Sequence, residues 1–256
     1  IIESDLSLYE LQDPPIGEAE KTIAQYAAEM VHDGDCIQLG FGGIPNAIGF
    51  ELMNRHDLGI HTEQIGASMA HMIQSGVVTN RYKNLDRGWS VGAFIIADNF
   101  TYNYVNNHPR IMMRRGRYTN DPMVIAQQDN MVSINAALQI DLTGQVAAEA
   151  LGHIQFSGTG GATDYAYGAY HSRGGRAMLC QISTAKKGTV SRIAPILDPG
   201  SIVSVSRNLT DMVITEYGVA KLRQRTVKQR VENLIAVAHP DFRAELRKEA
   251  NKYMYF

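Results

Sequence analysis

The spacing of apolar residues changes repeatedly along this chain of 256 residues. Over residues 18–31 apolar side chains recur every three to four positions, the period of an amphipathic helix. Short apolar runs bounded by glycine, asparagine or aspartate, such as Cys36–Leu39, are typical of buried strands. The same patterns predict strands at 59–62, 89–97, 131–142, 177–182, 202–206 and 212–215, and helices at 45–54, 67–75, 145–151, 227–237 and 241–253. Strands joined by helices predict an α/β fold, with a largely parallel sheet flanked by helices.

The composition limits the partners of the chain. Lysine and arginine number 24 against 26 aspartates and glutamates, so the cationic excess of a nucleic-acid-binding surface is missing. The chain also contains no apolar run of about 18 residues, the length that a transmembrane helix needs. We therefore expect a globular chain that binds neither nucleic acid nor membrane.

Cysteine and histidine usage argues against a metal or redox centre. Cys36 and Cys180 lie in apolar runs and are expected to be buried, reduced thiols, which favours a reducing, cytoplasmic location. The first 30 residues are acidic and lack the apolar segment of a signal peptide. The eight histidines show no metal-ligand spacing, so no metal site is expected, and His239 before Pro240 suits a helix cap.

A glycine-rich turn at residues 40–46 joins a predicted strand to a predicted helix. Gly40, Gly42 and Gly43 permit close approach of a ligand to the backbone, and the helix start offers free N–H groups to an anion. The spacing fits neither a P-loop nor a dinucleotide-binding fingerprint. A structural turn and a ligand-binding loop both remain open at this point.

Glu63 follows the predicted strand at 59–62. Ligands of open α/β sheets bind beyond the carboxyl ends of the strands, where this carboxylate would lie. An ion pair with an arginine, or capping of the next helix, would explain the residue equally well.

Two further segments carry candidate chemistry. Residues 156–169 include Gly160 and Gly161 in a run of small residues, whose backbone N–H groups could converge on an oxyanion. Residues 183–192 combine hydroxyls with Lys186 and Lys187, which suits phosphate groups or an exposed hairpin tip.

Ten collinear segments resemble the acetyl-CoA hydrolase/transferase family, and within it the 4-hydroxybutyrate and butyrate:acetate CoA-transferases. The segments are GFGGIPNAI (40–48), HTE (61–63), VVTN (77–80), NDP (120–122), NMVSIN (130–135), DLTGQV (141–146), SGTGG (157–161), STAK (183–186), TEYG (215–218) and HPDFR (239–243). The resemblance covers about residues 15–249. It implies a CoA-transferase-like open α/β domain.

The resemblance also implies a covalent mechanism. Glu63 matches the family's catalytic glutamate, which would attack an acyl-CoA and pass through an anhydride to a glutamyl-CoA thioester. Gly42, Gly43, Gly160 and Gly161 would then lie against the thioester, and Lys186 or Lys187 would meet phosphates of CoA. Ala162 and Tyr167 depart from residues common in the family, which leaves the identity of the acyl group open.

The family's chains consist of two similar α/β domains. By resemblance, residues 1–15 form a linker and residues 16–256 the C-terminal catalytic domain, so we expect a homo-oligomer or a missing N-terminal domain and an isolated chain that could be inactive. The implied partners are an acyl-CoA and a short-chain carboxylate acceptor such as acetate, butyrate or 4-hydroxybutyrate, with no tightly bound cofactor. An acyl-CoA hydrolase of the same family and a non-catalytic CoA-binding or assembly fragment are the alternatives.

Overall fold

The computed structural model describes residues 3, 5–11 and 15–252. The helices are α1 (Glu18–Glu29), α2 (Gly43–Glu51), α3 (Ala67–Gln74), α4 (Asn99–Val105), α5 (Gly116–Thr119), α6 (Pro122–Ile125), α7 (Ala162–His171), α8 (Val227–Val237) and α9 (Pro240–Lys252). The strands are β1 (Cys36–Leu39), β2 (Gly59–Ile60), β3 (Gln64–Ile65), β4 (Ser90–Gly92), β5 (Phe94–Ile95), β6 (Ile111–Met113), β7 (Met131–Ala136), β8 (Gln139–Asp141), β9 (Val146–Ala147), β10 (Ala150–Leu151), β11 (Ile154–Gln155), β12 (Arg176–Cys180), β13 (Thr184–Ala185), β14 (Val190–Ser191), β15 (Ile193–Ala194), β16 (Met212–Thr215) and β17 (Gly218–Lys221).

A six-stranded sheet forms the centre of the fold, in the order β17-β16-β12-β7-β1-β2. Its pairs are parallel, apart from the edge pair of β16 with β17. Every residue of β1 and β16 is buried, as expected when helices cover both faces of a parallel sheet. The predicted largely parallel α/β fold is confirmed.

Two apolar cores lie against the sheet. One includes Tyr165 of α7 and Leu234 of α8, and the other includes Ile23 of α1 and Ile48 of α2. Cys36 and Cys180 are buried, free thiols, as the sequence predicted. Burial raises the pKa of Cys36 to about 11 and that of Cys180 to about 12. No helix in the described ranges is long and apolar enough to cross a membrane.

The helix predicted at residues 145–151 is wrong, because the segment forms β9 and β10 instead. The Asp141 carboxylate accepts hydrogen bonds from the backbone N–H groups of Thr143 and Gln145, both at 2.9 Å, which turns the chain sharply. The backbone N–H of Val146 then donates to the carbonyl of Val205 at 3.1 Å rather than within a helix. Pairing with a distant segment therefore overrides local helix propensity.

Three predicted strands also differ from the structure. Residues 202–206 form no strand and make a single bridge, between Val205 and Val146. The run at 131–142 divides into β7 and β8, and β8 joins a separate sheet with β9 and β15. The run at 89–97 divides into β4 and β5, which pair with different partners, β6 and β3. The runs at 131–142 and 89–97 each contain two strands that join different sheets, whereas 202–206 pairs at one residue alone.

Several other elements agree closely with the patterns, but α4, α5, α6 and α7 were not predicted, and α7 occupies most of the segment 156–169 that was expected to be a loop. Strands β1 and β16 and helix α8 have the predicted bounds, and α9 ends at Lys252, with residue 253 of the predicted helix outside the described residues. The predicted linker, residues 1–15, is described at residues 3, 5–11 and 15 alone. Within it, the backbone N–H of Leu11 donates to the carbonyl of Ala97 at 3.0 Å.

Candidate active site

Glu63 stands beyond the carboxyl end of β2, as the sequence predicted. Its backbone carbonyl accepts hydrogen bonds from the N–H groups of Ala93 at 2.7 Å and Phe94 at 3.1 Å, which fixes the main chain here. The residue itself is half-buried. The carboxylate is therefore held at the edge of the sheet while part of it faces open space.

The backbone N–H of Gly161 donates to Oε2 of Glu63 at 3.0 Å. Gly161 immediately precedes α7, so the carboxylate lies at the positive end of that helix dipole. A Cβ atom on Gly161 would lie 2.8 Å from Oε2 of Glu63 and 2.8 Å from Nδ2 of Asn120. Glycine at this position therefore permits a close approach that a larger residue would prevent. The structure brings Glu63 and the 157–161 glycine segment together, as expected.

Within the part of the chain that the structure describes, Glu63 has no cationic partner. Among the ion pairs of the described residues, none includes Glu63. The carboxylate also caps no helix that follows it directly, because α3 begins after Gly66 with no side-chain cap. Neither structural explanation left open by the sequence accounts for the residue.

A buried hydrogen-bond network orients Asn120 beside Glu63. The hydroxyl of Thr119 donates to Oδ1 of Asn120 at 2.9 Å, which leaves the amide nitrogen facing Gly161. The carbonyl of Thr119 accepts from the Tyr165 hydroxyl at 2.8 Å and from Nε2 of His61 at 3.0 Å. Asn120 thereby presents a neutral N–H donor to the same small space as Gly161.

His61 is a neutral component of this network. A carbonyl oxygen can only accept, so the imidazole proton lies on Nε2 where it contacts Thr119. Burial, followed by the nearby charge of Lys83, lowers the pKa of His61 to about 4. The ring is fully buried, and burial of this kind disfavours the charged imidazolium.

A cavity of about 510 Å³ opens in front of Glu63. The side chains and backbone that line it include apolar and amide groups: Gln38, Leu39, Gly40, Phe41, Phe94, Ile96, Asn135, Gly160, Gly161 and Ala162. Gln38 and Asn135 hold one another through a 2.9 Å bond from Nε2 to Oδ1. The volume lies within the range of small-molecule sites.

Two further carboxylates stand near the glycine segment. Glu149 is buried and lines the cavity, and Asp164 lies in the first turn of α7. Burial, and then the charge of Glu63, raise the pKa of Asp164. Burial, with Glu63 the next cause, likewise raises the pKa of Tyr165 well above its usual range. Asp164 and Tyr165 therefore both lie within electrostatic range of Glu63.

The other predicted glycines lie at different distances from this cavity. Gly160 lines it and adopts a left-handed backbone, with φ of +57° and open space around it. Gly42, with φ of +117°, lines an adjoining cleft that shares Gly40 and Phe41, and Gly43 begins α2. The two glycine segments thus meet at one edge of the sheet.

Lys186 and Lys187 lie away from the cavity lining. Both occupy the exposed turn between β13 and β14 in left-handed conformations, with φ of +49° and +58°. The hairpin-tip alternative describes their position. Nothing in the structure tests their predicted contact with phosphate.

Sequence reasoning missed Thr119, Asn120 and Glu149 as site residues. The NDP segment at 120–122 draws attention to this part of the chain, and Asp121 caps α6. No local pattern, however, indicates a role for the neighbouring Asn120. Within the described residues there is also no group of three or more His, Cys, Asp or Glu residues that could hold a metal ion. The arrangement is a carboxylate supported by neutral N–H donors in an open cavity.

Comparison with known proteins identifies the family that this chain matches. The family described as the acetyl-CoA hydrolase/transferase C-terminal domain matches residues 98–250. The succinyl-CoA:cyclohexane-1-carboxylate CoA transferase of Geobacter metallireducens is 47% identical over 98% of this chain and 58% of its own length. The 4-hydroxybutyrate coenzyme A transferase of Clostridium kluyveri is 44% identical over 98% of this chain and 59% of its own length.

Solved structures show the same fold. RipA from Yersinia pestis has a TM-score of 0.94 and 43% identity, over 98% of this chain and 57% of that one. A 4-hydroxybutyrate CoA-transferase from Porphyromonas gingivalis has a TM-score of 0.86 and 40% identity, over 98% and 59%. The chain therefore spans somewhat more than half the length of the relatives that it matches.

Proposed function

The chain belongs to the acetyl-CoA hydrolase/transferase family, and from this premise we propose that it carries the acyl-accepting carboxylate of a CoA-transferase. Glu63 is the proposed nucleophile. The observation that carries the proposal is the 3.0 Å hydrogen bond from the Gly161 N–H to a carboxylate that has no cationic partner among the described residues and faces a cavity. Such a carboxylate is oriented without being neutralised.

In the first step an oxygen of Glu63 attacks the carbonyl carbon of an acyl-CoA thioester. The C–S bond breaks, CoA leaves as a thiolate, and the acyl group becomes an anhydride with Glu63. The thiolate then attacks the carbonyl carbon of Glu63 and expels the acyl group as a free carboxylate. The product is a glutamyl-CoA thioester on Glu63.

The second half of the reaction reverses these steps with another carboxylate. The acceptor attacks the glutamyl-CoA thioester, forms a new anhydride and releases CoA thiolate, which attacks the acceptor's acyl carbon. Glu63 is regenerated and the acceptor leaves as its CoA thioester. A carboxylate nucleophile suits this exchange, because the glutamyl-CoA thioester is close in energy to the substrate and product thioesters.

The neighbouring groups supply binding and electrostatics. We assign Gly161 and Asn120 the role of N–H donors to the oxygen that becomes negative in each tetrahedral intermediate. Gly160, Gly42 and Gly43 are the proposed backbone contacts to the thioester, and Lys186 and Lys187 the proposed contacts to CoA phosphates. Exclusion of water from the cavity would protect the anhydride from hydrolysis.

The proposed acyl groups are those of short-chain carboxylates such as acetate, butyrate and 4-hydroxybutyrate. Phe41, Phe94 and Ile96 provide apolar walls at the cavity mouth. Residues 16–256 are the proposed C-terminal domain. The region of the relatives that this chain does not match is the proposed partner that closes the cavity, whether as part of one chain or in an oligomer.

Turnover of butyryl-CoA with and without acetate tests the proposal. The assay compares the chain alone with the chain joined to the part of the Geobacter relative that it does not match. We expect acetyl-CoA to form only when acetate is present, and Glu63→Gln to abolish its formation. Full-rate release of CoA without acetate would establish the hydrolase alternative. CoA binding with no turnover in either form would establish the non-catalytic alternative.

A further inference from the structure

A second cavity, of about 600 Å³, lies at the opposite edge of the central sheet from Glu63. It is bounded by the amino ends of β12 and β16, which begin at Arg176 and Met212, and by the end of α1. Glu63 follows the carboxyl end of a parallel strand in the same sheet. This cavity therefore plays no part in the proposed acyl transfer.

Cationic side chains dominate its lining. Arg176, Lys221, Arg223 and Arg225 contribute four positive charges, against the carboxylates of Glu29 and Asp211. Lys221 and Arg225 are exposed and Arg223 is half-buried, so their charged groups can reach a ligand in the cavity. Asp35 pairs with Arg176 behind the lining, so one net positive charge remains, and it favours an anionic occupant.

Two of the arginines are held in place by the protein. Arg176 pairs with Asp35, whose side chain is only 4% exposed. Arg223 donates to the carbonyl of Tyr170 at 3.0 Å and stacks on that ring, with its guanidinium carbon 4.0 Å from the ring centroid. Guanidinium groups fixed in this way lose little conformational freedom when they bind an oxyanion.

Arg176 also retains an unused donor. Its Nε is buried and has no hydrogen-bond partner among the described residues, although its Nη2 is paired with Asp35 and its Nη1 lies 3.3 Å from the carbonyl of Gly174. A buried N–H without a partner is costly, and this one belongs to a residue that lines the cavity. This observation is independent of the charge of the lining.

Asp211 is the carboxylate deepest in this group. Its Oδ2 accepts from the backbone N–H of Ala177 at 3.2 Å, which ties it to β12. Burial raises its pKa, while Arg223, Arg176 and Lys221 act in the opposite direction. Asp211 thus forms part of the wall, and Lys221 and Arg225, together with the half-buried Arg223, are left to contact a ligand.

We propose that this cavity binds a small polyanion that carries phosphate or carboxylate groups. Its volume suits a small metabolite, and bidentate contact with phosphate or carboxylate is the chemistry for which arginine is best fitted. Apolar Met30 and Met212 line the same cavity and offer a surface to a carbon skeleton. The site is independent of Glu63 and of the proposed transfer reaction.

Isothermal titration calorimetry of the 256-residue chain tests this site, with pyrophosphate as the phosphate probe and citrate as the carboxylate probe. Low ionic strength avoids screening of the cations. We expect one equivalent of at least one probe to bind. We expect Lys221→Gln/Arg225→Gln to weaken that binding about tenfold or more, since both substitutions remove charge-assisted hydrogen bonds to the anion. The probe that binds more tightly identifies the anionic group.

The matched control removes two exposed cations from α9, as Arg247→Gln/Lys248→Gln. Unchanged affinity in this control, with an unchanged melting temperature in both double variants, is expected. Equal weakening in both variants would show nonspecific charge attraction and overturn the proposal. It would also be overturned if neither probe bound at about 1 mM, or if binding depended on Lys186 and Lys187 instead.

Discussion

Two carboxylates, Glu63 and Asp35, lie at opposite strand ends of the same sheet and have contrasting partners. Asp35 is buried, pairs with Arg176 and accepts a hydrogen bond from the backbone N–H of His32 at 2.7 Å. Glu63 is half-buried and accepts from the Gly161 N–H, with no ion pair among the described residues. A carboxylate matched to arginine stabilises the fold, whereas one held by a single neutral donor keeps lone pairs available for reaction.

The largest expected effect comes from removing the buried carboxylate of Asp35. Asp35→Ala leaves Arg176 without its partner, although 21% of that side chain remains exposed. We expect the free energy of unfolding in urea to fall by about 3 kcal/mol, the lower end for a buried ion pair. Modification of Glu63 by acyl-CoA should persist in the fraction that remains folded.

Lys21→Ala is the control, because it removes a partner from the exposed ion pair with Glu18. It should change the free energy of unfolding by less than about 1 kcal/mol. If Asp35→Ala were no less stable than Lys21→Ala, the claim that the pair of Asp35 and Arg176 stabilises the fold would be contradicted.

The next largest effect concerns the reactivity of Glu63. Gly161→Ala places a methyl group 2.8 Å from Oε2 of Glu63 and 3.1 Å from the Tyr165 ring. Overpacking of this kind costs about 2 kcal/mol, so modification of Glu63 by acyl-CoA should slow roughly 30-fold. The rate is measured by mass spectrometry of hydroxylamine-trapped protein.

Gly158→Ala provides the matched control in the same glycine segment. A Cβ atom there meets nothing within 4 Å, so the rate should stay close to that of the parent protein. Equal slowing in Gly158→Ala and Gly161→Ala would mean that the close approach to Glu63 is unimportant.

A third prediction concerns the pH dependence of stability at the Glu63 edge. The pKa of folded His61 is about 4, below its ordinary value of 6.5, so the unfolded chain takes up the proton first as the pH falls. The stability contributed by neutral His61 is complete above pH 6.5 and is lost as the pH falls toward 4. Between pH 6.5 and about 5 the expected loss is about 1–2 kcal/mol.

Urea unfolding of the parent and of His61→Gln at both pH values measures this loss. The variant has no titrating ring, so its stability should fall less over the same interval. Parallel pH profiles for the two proteins would assign the loss to other groups.

The smallest effect sharpens the role of Asn120. Thr119→Val replaces the hydroxyl that donates to Oδ1 of Asn120 with a methyl group. Loss of one hydrogen bond costs about 1 kcal/mol, so modification of Glu63 should slow about fivefold. Thr119→Ser keeps the hydroxyl and should restore the rate; if it does not, packing rather than orientation explains the change.

The sequence predicted the sheet better than the turns around it. Cys36–Leu39 and Met212–Thr215 are mostly apolar because both faces of a parallel strand are buried. The polar or glycine residues that flank each run indicate where the strand begins and ends. Residues 145–151 lack that advantage. Their conformation depends on the Asp141 cap and on pairing with Val205, which no local pattern reveals.

The candidate site divides in the same way. Glu63 could be placed because it follows a strand directly, and the glycine segment because its composition is unusual. Asn120 could not, because its role depends on the hydrogen bond from Thr119 and on a contact with Gly161, 41 positions later in the printed sequence. Local sequence identifies the groups at strand ends, while tertiary contacts decide which neutral donors join them.

The most direct test of the account is the identity of the residue that carries CoA. The chain, alone and joined to the unmatched part of the Geobacter relative, is incubated with butyryl-CoA and then reduced with borohydride, which converts a glutamyl thioester to a primary alcohol. Peptide mass spectrometry should find that alcohol at Glu63 in the parent and in Glu149→Gln, and nowhere in Glu63→Gln. An alcohol at a different residue, or an unmodified Glu63 in a protein that turns over butyryl-CoA, would contradict the account.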